Sequence, residues 1–522
     1  MINIVFLEAG DNSSSTRPET FEFHPNNWDD FGFKTTFYVM YVDRAGTPFK
    51  IGTTRVAYRG QVDGWTLDHV RGQTSPAIFS LGQDVEYYQR LRQQVDPSVV
   101  DLYLKTVGDV AAHDEIFRDV RDETVLRKSL MRDVSLSTIV GQYRRVIEGK
   151  PVLTPFRFRY EDPGGEDRGA FKLNFRVKPG TRPSTNIHVL IGRNGVGKTT
   201  ILNNMVRSIV APDSNRIDRP KVVTINEYGA ENDSGLSEFS SVVSVSFSAF
   251  DPFDPPSNPQ DRSSKVAYFY VGMQDIATGV TGQEGPNELR TVKEKRHLRS
   301  EFVKALMSCM TTDGKRERWS DAIERLEKDR NFKDLALRDL IELQVSELTE
   351  RSEKVFDDLS SGHAIVLLTM TKLVAFVEEK TLVLIDEPES HLHPPLLSSF
   401  IRALSDLLNH RNGVAVIATH SPVVLQEVPR LCGWVVSRVR SSGTYERPPI
   451  ETFGENVGVL TRAVFGLEVD KSGFHDLLQK AVDEGGSFDD IFLDFGEQLG
   501  FEAQAQLRAL LRTRDEVRGG DQ

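Results

Sequence analysis

The chain has 522 residues, with 64 Lys and Arg against 76 Asp and Glu for a formal net charge of −12. That balance excludes a protein that wraps nucleic acid with its whole surface, although a local basic patch stays open. Only two cysteines occur, Cys309 and Cys432, too few for a disulfide framework, and no window reaches the roughly 20 apolar residues that cross a bilayer. The N-terminal residues carry neither a basic region nor an apolar run of signal length, so the expectation is a soluble cytoplasmic protein without membrane contact.

Residues 1 to about 75 read as strand-rich, with an extended run at 35–42 closed by the turn Asp43-Arg44-Ala45-Gly46. From about 84 to 149 the pattern becomes helical. Residues 156–160 and 171–177 alternate with period two, and Pro163, Gly164 and Gly165 between them predict a hairpin. Phe156, Phe158 and Tyr160 share one side of the first strand. They are either packing residues or an adenine-stacking platform.

Residues 186–191 read as a buried strand and run into Gly192-Arg193-Asn194-Gly195-Val196-Gly197-Lys198-Thr199-Thr200. This Walker A pattern needs glycines so that backbone N–H groups can close around phosphate oxygens without Cβ clashes. Lys198 would reach the β- and γ-phosphates and the Thr199 hydroxyl would ligate Mg²⁺. Gly192, Asn194, Gly195, Gly197, Lys198, Thr199 and Thr200 are therefore the candidate ATP-binding residues. Lys198 also opens an amphipathic helix bearing Ile201, Leu202, Met205, Val206 and Ile209 on one face, so its positive end points at the nucleotide.

A strand at 242–247 and a proline-rich loop at 251–256 follow. A charged, mostly helical region then spans about 286–350. Its basic runs, Lys293 to Arg299 and Lys315 to Arg318, read as solvated helix faces or as phosphate contacts for DNA. The apolar run 381–385 ends in Asp386-Glu387, a Walker B pair at the carboxyl end of a parallel strand. Asp386 would hold Mg²⁺ and Glu387 would act as general base toward the attacking water. One helix later, the strand 414–418 ends in Thr419-His420-Ser421-Pro422, which places His420 as a γ-phosphate sensor. Leu359-Ser360-Ser361-Gly362-His363 opens an apolar helix between the two Walker motifs. His391 and His393 suggest a metal pair, but the sequence offers no evident third ligand.

In this order the motifs resemble the ATP-binding-cassette (ABC) superfamily, with Ser360, Ser361 and Gly362 at its signature sequence and His363 where that signature has glutamine. The resemblance implies an α/β fold: an ABC-type P-loop NTPase head with a central, mostly parallel sheet, an N-terminal antiparallel strand layer and helical insertions. It also implies a head-to-tail homodimer, or a higher even oligomer, in which the signature of one copy caps ATP bound by the other. The Asp386 to Pro394 run is similar to that of soluble SMC, RecF and OLD-like ATPases. Ser361 to Leu368 and Ala418 to Val428 resemble the PtuA-type ATPases of Septu and retron anti-phage systems. That likeness implies a regulatory ATPase acting beside an effector such as an HNH nuclease, the alternative being a DNA-structure-sensing repair ATPase. The expected organisation is 1–180 as part of the ATPase lobe, 181–450 as its core and 451–522 as a helical C-terminal segment. No Q-loop glutamine is assigned, with Ser246, Ser248 and Gln274 in its neighbourhood.

Overall fold

The computed structural model describes residues 2–9, 18–71, 77–150, 153–165, 169–211, 219–225, 239–246, 266–274, 293–439, 442–466 and 473–519. Among them a seven-stranded sheet carries the motifs. Its spatial order is Ala267–Gly272, Ser241–Ser246, Thr381–Asp386, Val414–Thr419, Ile187–Ile191, Gly433–Val439 and Ser442–Glu446. Every neighbouring pair is parallel except the last. Ile187–Ile191 and Val414–Thr419 are buried along their whole lengths, which is why these segments read as continuous apolar runs rather than alternating ones.

Alternate side chains enter two cores, as the strand period requires. Val189, Ile191, Val383 and Ile385 pack with the signature helix Ser361–Phe376, with helix Pro394–His410 and with the inserted helices Lys295–Met310 and Asp313–Leu326. Leu190, Leu384 and Val416 face the other way, toward the P-loop helix Lys198–Val210 and the hairpin Phe156–Asp162 with Phe171–Val177. Strand Lys221–Ile225 pairs with that hairpin and completes a three-stranded antiparallel layer. The fold is thus an ABC-type P-loop head of mixed α/β architecture.

Residues 21–146 build a hydrophobic core of their own. It lies around the five-stranded sheet Asn3–Phe6, Thr20–Pro25, Thr36–Val42, Pro48–Tyr58 and Ile78–Gly82 and the helices that follow it. This region is tied to the inserted helices by buried charge. Arg318 donates to Asp84 Oδ1 at 2.8 Å and Glu86 Oε1 at 2.9 Å. At the other end of the chain, helices Phe474–Glu484, Phe488–Asp494 and Phe501–Gly519 enclose a small core of Leu478, Val482, Ile491, Leu507 and Leu511. No described helix is long and apolar enough to cross a membrane.

Candidate nucleotide site

Three motifs leave the sheet at one edge. Ile191 pairs with Thr419, and Asp386 pairs with Ala418, so the Walker A turn, the Walker B carboxylates and His420 emerge side by side at the carboxyl ends of parallel strands, where such sheets bind ligands. Gly192 is required by contact: a Cβ there would lie 2.0 Å from the Val436 carbonyl oxygen of the adjoining strand. Gly195 and Gly197 are required by conformation, with φ of +80° and +101°. Helix Lys198–Val210 starts on Gly197, so its first N–H groups, which have no intrahelical partner, face this edge. Asn194 and Thr200 are exposed beside the turn.

The charged groups converge inside it. Lys198 is 4% exposed and lies 3.8 Å from Glu387 Oε1. Its ammonium donates to the carbonyls of Gly192 at 2.9 Å and Arg193 at 2.8 Å. Burial holds the Lys198 pKa below its ordinary range, although Glu387, Asp386 and Glu389 pull it back up. Thr199 Oγ1 donates to Asp386 Oδ2 at 2.7 Å, which joins the two oxygens expected to share Mg²⁺. Glu387 sits in the left-handed backbone region at φ +46°, a conformation that costs a non-glycine residue energy and is concentrated at functional sites. Its N–H donates to the Ala418 carbonyl at 2.8 Å.

Glu389 has a role that its place in the sequence does not reveal. Its Oε1 accepts from the His420 N–H at 2.7 Å, the Ser421 N–H at 3.1 Å and the Thr419 hydroxyl. The same oxygen is 3.2 Å from His420 Nδ1, and Glu387 Oε1 is 3.6 Å from it. Glu389 therefore clamps the turn that carries His420. The available signal was the third carboxylate in Asp386-Glu387-Pro388-Glu389, three residues beyond the expected metal position.

Ser360, Ser361 and Gly362 form an exposed to partly exposed edge. Ser360 caps helix Ser361–Phe376 and its hydroxyl lies 2.7 Å from His363 Nδ1. Gly362 packs against the segment after Walker B, where a Cβ would lie 2.5 Å from the His391 carbonyl oxygen.

Of the two readings of the hairpin aromatics, the packing one agrees with the structure. Phe156, Phe158 and Tyr160 are 7%, 0% and 0% exposed, and Phe158 stacks on Phe175 with centroids 4.7 Å apart. They pack the hairpin and cannot serve as an adenine platform. The basic runs are largely neutralised within the chain: Lys293 pairs with Glu301, Arg296 with Glu294, Arg299 with Asp357, Lys315 with Asp133 and Arg316 with Asp313. Of the Q-loop neighbourhood, Ser246 pairs in register with Asp386 and Gln274 is buried just beyond Gly272. Ser248 lies outside the described residues.

The donor set fits a magnesium nucleotide. Hard oxygen ligands meet at Thr199 and Asp386, and N–H groups, a lysine and a glycine turn stand where phosphates would lie. Fold and site together define a P-loop ATPase of the ABC/AAA class. A family model described as "AAA domain, putative AbiEii toxin, Type IV TA system" matches residues 298–426, a span that holds the signature, Walker B and His420. The chain belongs to the family of Protein ea59 of Escherichia phage lambda, with which it is 41% identical over 544 residues covering 99% of each sequence. Overlap with solved structures is slight. A nucleotide-free ATP-binding cassette from an ABC transporter gives a TM-score of 0.28 at 13% identity, over 59% of this chain and 95% of that one. The Smc head domain of Pyrococcus furiosus bound to the C-terminal domain of ScpA gives 0.25 at 12%, over 61% and 100%.

Proposed function

We propose that the protein is a Mg²⁺-dependent ATPase that closes head-to-tail on ATP with a second copy and thereby controls a separate effector, a nuclease in anti-phage defence. The observation that carries the ATPase reading is the cluster of Lys198, Thr199, Asp386, Glu387 and His420 at one sheet edge, bound together by the contacts above. Ser360 and Ser361, the remaining expected phosphate ligands, are exposed, and Gly362 beside them packs on the Walker B extension. A second copy would bring its own exposed signature to the phosphates, with the dipole of helix Ser361–Phe376 favouring negative charge.

The chemistry divides among these residues. Lys198 and the N–H groups of the Gly192–Thr200 turn bind phosphate oxygens. Thr199 and Asp386 would hold Mg²⁺, which would supply charge neutralisation on the phosphates. Glu387 takes the proton of the attacking water, and His420, clamped by Glu389, donates a hydrogen bond to the developing charge. ATP drives closure because only the closed state contacts it from both sides. The pairing of the basic runs weakens the DNA-sensing alternative, since cations already paired with carboxylates neutralise few phosphates and so displace few of the counterions condensed on DNA.

The test is Glu387→Gln, which keeps shape and removes the base. Turnover should fall about 10²- to 10⁴-fold, and light scattering should show a dimer with ATP that the wild type forms only transiently. Unchanged turnover, or a variant monomeric with ATP, refutes the reading. The effector is tested by co-purification with neighbouring gene products, with and without ATP.

A further inference from the structure

We propose that Asp329, His363 and His393 form a binding site for a divalent transition metal of the zinc class, distinct from the Mg²⁺ position at Thr199 and Asp386. The three side chains come from distant parts of the chain, and one ligand atom of each lies within 4.8 Å of the others. The sequence offered His391 as the companion of His393. The fold supplies His363 and Asp329 instead.

The two carboxylate-to-imidazole separations, each to its own oxygen of Asp329, are near those of a tetrahedral centre. Two donors bound about 2.0–2.1 Å from such a metal lie about 3.3 Å apart. Asp329 Oδ2 is 3.0 Å from His393 Nε2, and Asp329 Oδ1 is 3.4 Å from His363 Nε2. Two imidazoles and one carboxylate favour Zn²⁺ and its neighbours over Mg²⁺ or Ca²⁺, which take oxygen donors. The His363 ring has Ser360 on one nitrogen and Asp329 near the other. Its Nδ1 lies 2.7 Å from Ser360 Oγ, so a proton on Nδ1 is satisfied there and Nε2 is left to bind the ion, the usual outer-shell arrangement for a metal-bound histidine. His393 is 46% exposed, which leaves an open side for water or a group from another chain as fourth ligand. Two contacts must yield. Asn331 Nδ2 lies 3.3 Å from His363 Nε2, and His393 Nδ1 accepts a long 3.4 Å bond from the Leu396 N–H. Both are weak at those lengths. On binding, the proton on His393 Nε2 is released or transferred to Nδ1.

The placement gives the metal a consequence. Asp329 caps the short helix Arg330–Lys333 of the inserted region, His363 lies in the first turn of the signature helix, and His393 caps helix Pro394–His410. One ion would clamp the signature turn to the Walker B extension and to the insertion. His363 is also where the chain departs from the signature glutamine of the proteins it resembles.

The tag-free, chelator-treated full chain should be titrated with Co²⁺ in the absence of nucleotide. We expect the visible bands of tetrahedral Co²⁺ at a single equivalent, displaced by Zn²⁺, with affinity falling at least about tenfold in Asp329→Asn and His393→Asn. His391→Asn and the Mg²⁺-site variant Thr199→Ala should bind as the wild type does. Circular dichroism checks that each variant is folded. Absence of the bands in the wild type overturns the proposal, as does binding that persists in folded Asp329→Asn and His393→Asn or that disappears with Thr199→Ala.

Discussion

Replacing Gly362 with alanine tests whether the signature turn and the catalytic loop are mechanically joined. The added Cβ would lie 2.5 Å from the His391 carbonyl oxygen, whereas an unstrained C···O contact begins at about 3.3 Å, so the two backbones must part by about 0.8 Å. The signature helix cannot yield as a body, because Ala364 to Ala375 are buried in the core. The movable side is the short turn Pro388–His391, which runs directly from Glu387. Overpacking of this kind costs about 1–3 kcal/mol, and a misplacement near 1 Å at a catalytic group costs about 10²-fold in rate. Gly362→Ala should therefore lose about two orders of magnitude of ATP turnover, with ATP affinity of the Walker A site close to wild type. Steady-state phosphate release and binding of a fluorescent ATP analogue measure the two quantities separately. Turnover within about twofold of wild type, with the thermal midpoint unchanged, would refute the argument.

Lys198→Ala should weaken ATP binding by about 10²-fold or more in the same fluorescence assay, because a charge-assisted phosphate contact disappears from a buried site. Glu389→Ala should lower turnover about 10²-fold by freeing the His420 turn, while leaving ATP affinity within about threefold; the split between turnover and affinity distinguishes it from Lys198→Ala. Stability should fall in acid through His188 on the P-loop strand. Burial, aided by nearby Arg447, pushes its pKa from 6.5 down to about 3. The unfolded chain thus takes this proton first, so its contribution is complete above the unfolded value and is lost as pH falls below it, by about 2 kcal/mol at about pH 5. Denaturant melts at neutral pH and at about pH 5 should show that loss shrinking in His188→Leu. An identical pH slope in the variant would exclude His188 as its source.

The central sheet was legible because parallel strands buried on both faces leave continuous apolar runs, as at 187–191 and 414–418, and because the φ of +80° and +101° at Gly195 and Gly197 strongly favour glycine. The hairpin at 156–177 was legible from period-two alternation. What escaped was set by contacts between distant segments. The alternation pairs Phe158 with the strand of Phe175, but nothing near it in sequence says that the P-loop helix shares their core, so an exposed ligand platform stayed open as the second reading. The basic run from Lys315 to Arg318 looks like a solvated or phosphate-binding face until Asp84, Glu86 and Asp133 arrive from more than 150 residues away. Asp329 is an ordinary helix cap in sequence, and only the fold sets it against two histidines.

The segment from Asp386 to His393 then takes on a physical meaning beyond its motif. In chain order, Asp386 bonds to Thr199 and Glu387 faces Lys198 and His420. Glu389 clamps the His420 turn, the His391 carbonyl rests on Gly362, and His393 meets Asp329 beside His363. One short stretch of backbone therefore touches the proposed hydrolytic half of the site at one end and the proposed signature half at the other. It contains a left-handed residue at Glu387 and a single turn of 3₁₀ helix at Pro388–His391, too short to absorb a displacement internally. A shift imposed on the signature turn, whether by a second copy, an effector or a metal ion, must reach Glu387 through this segment, and nucleotide bound at Asp386 must act back on the signature by the same amount of free energy.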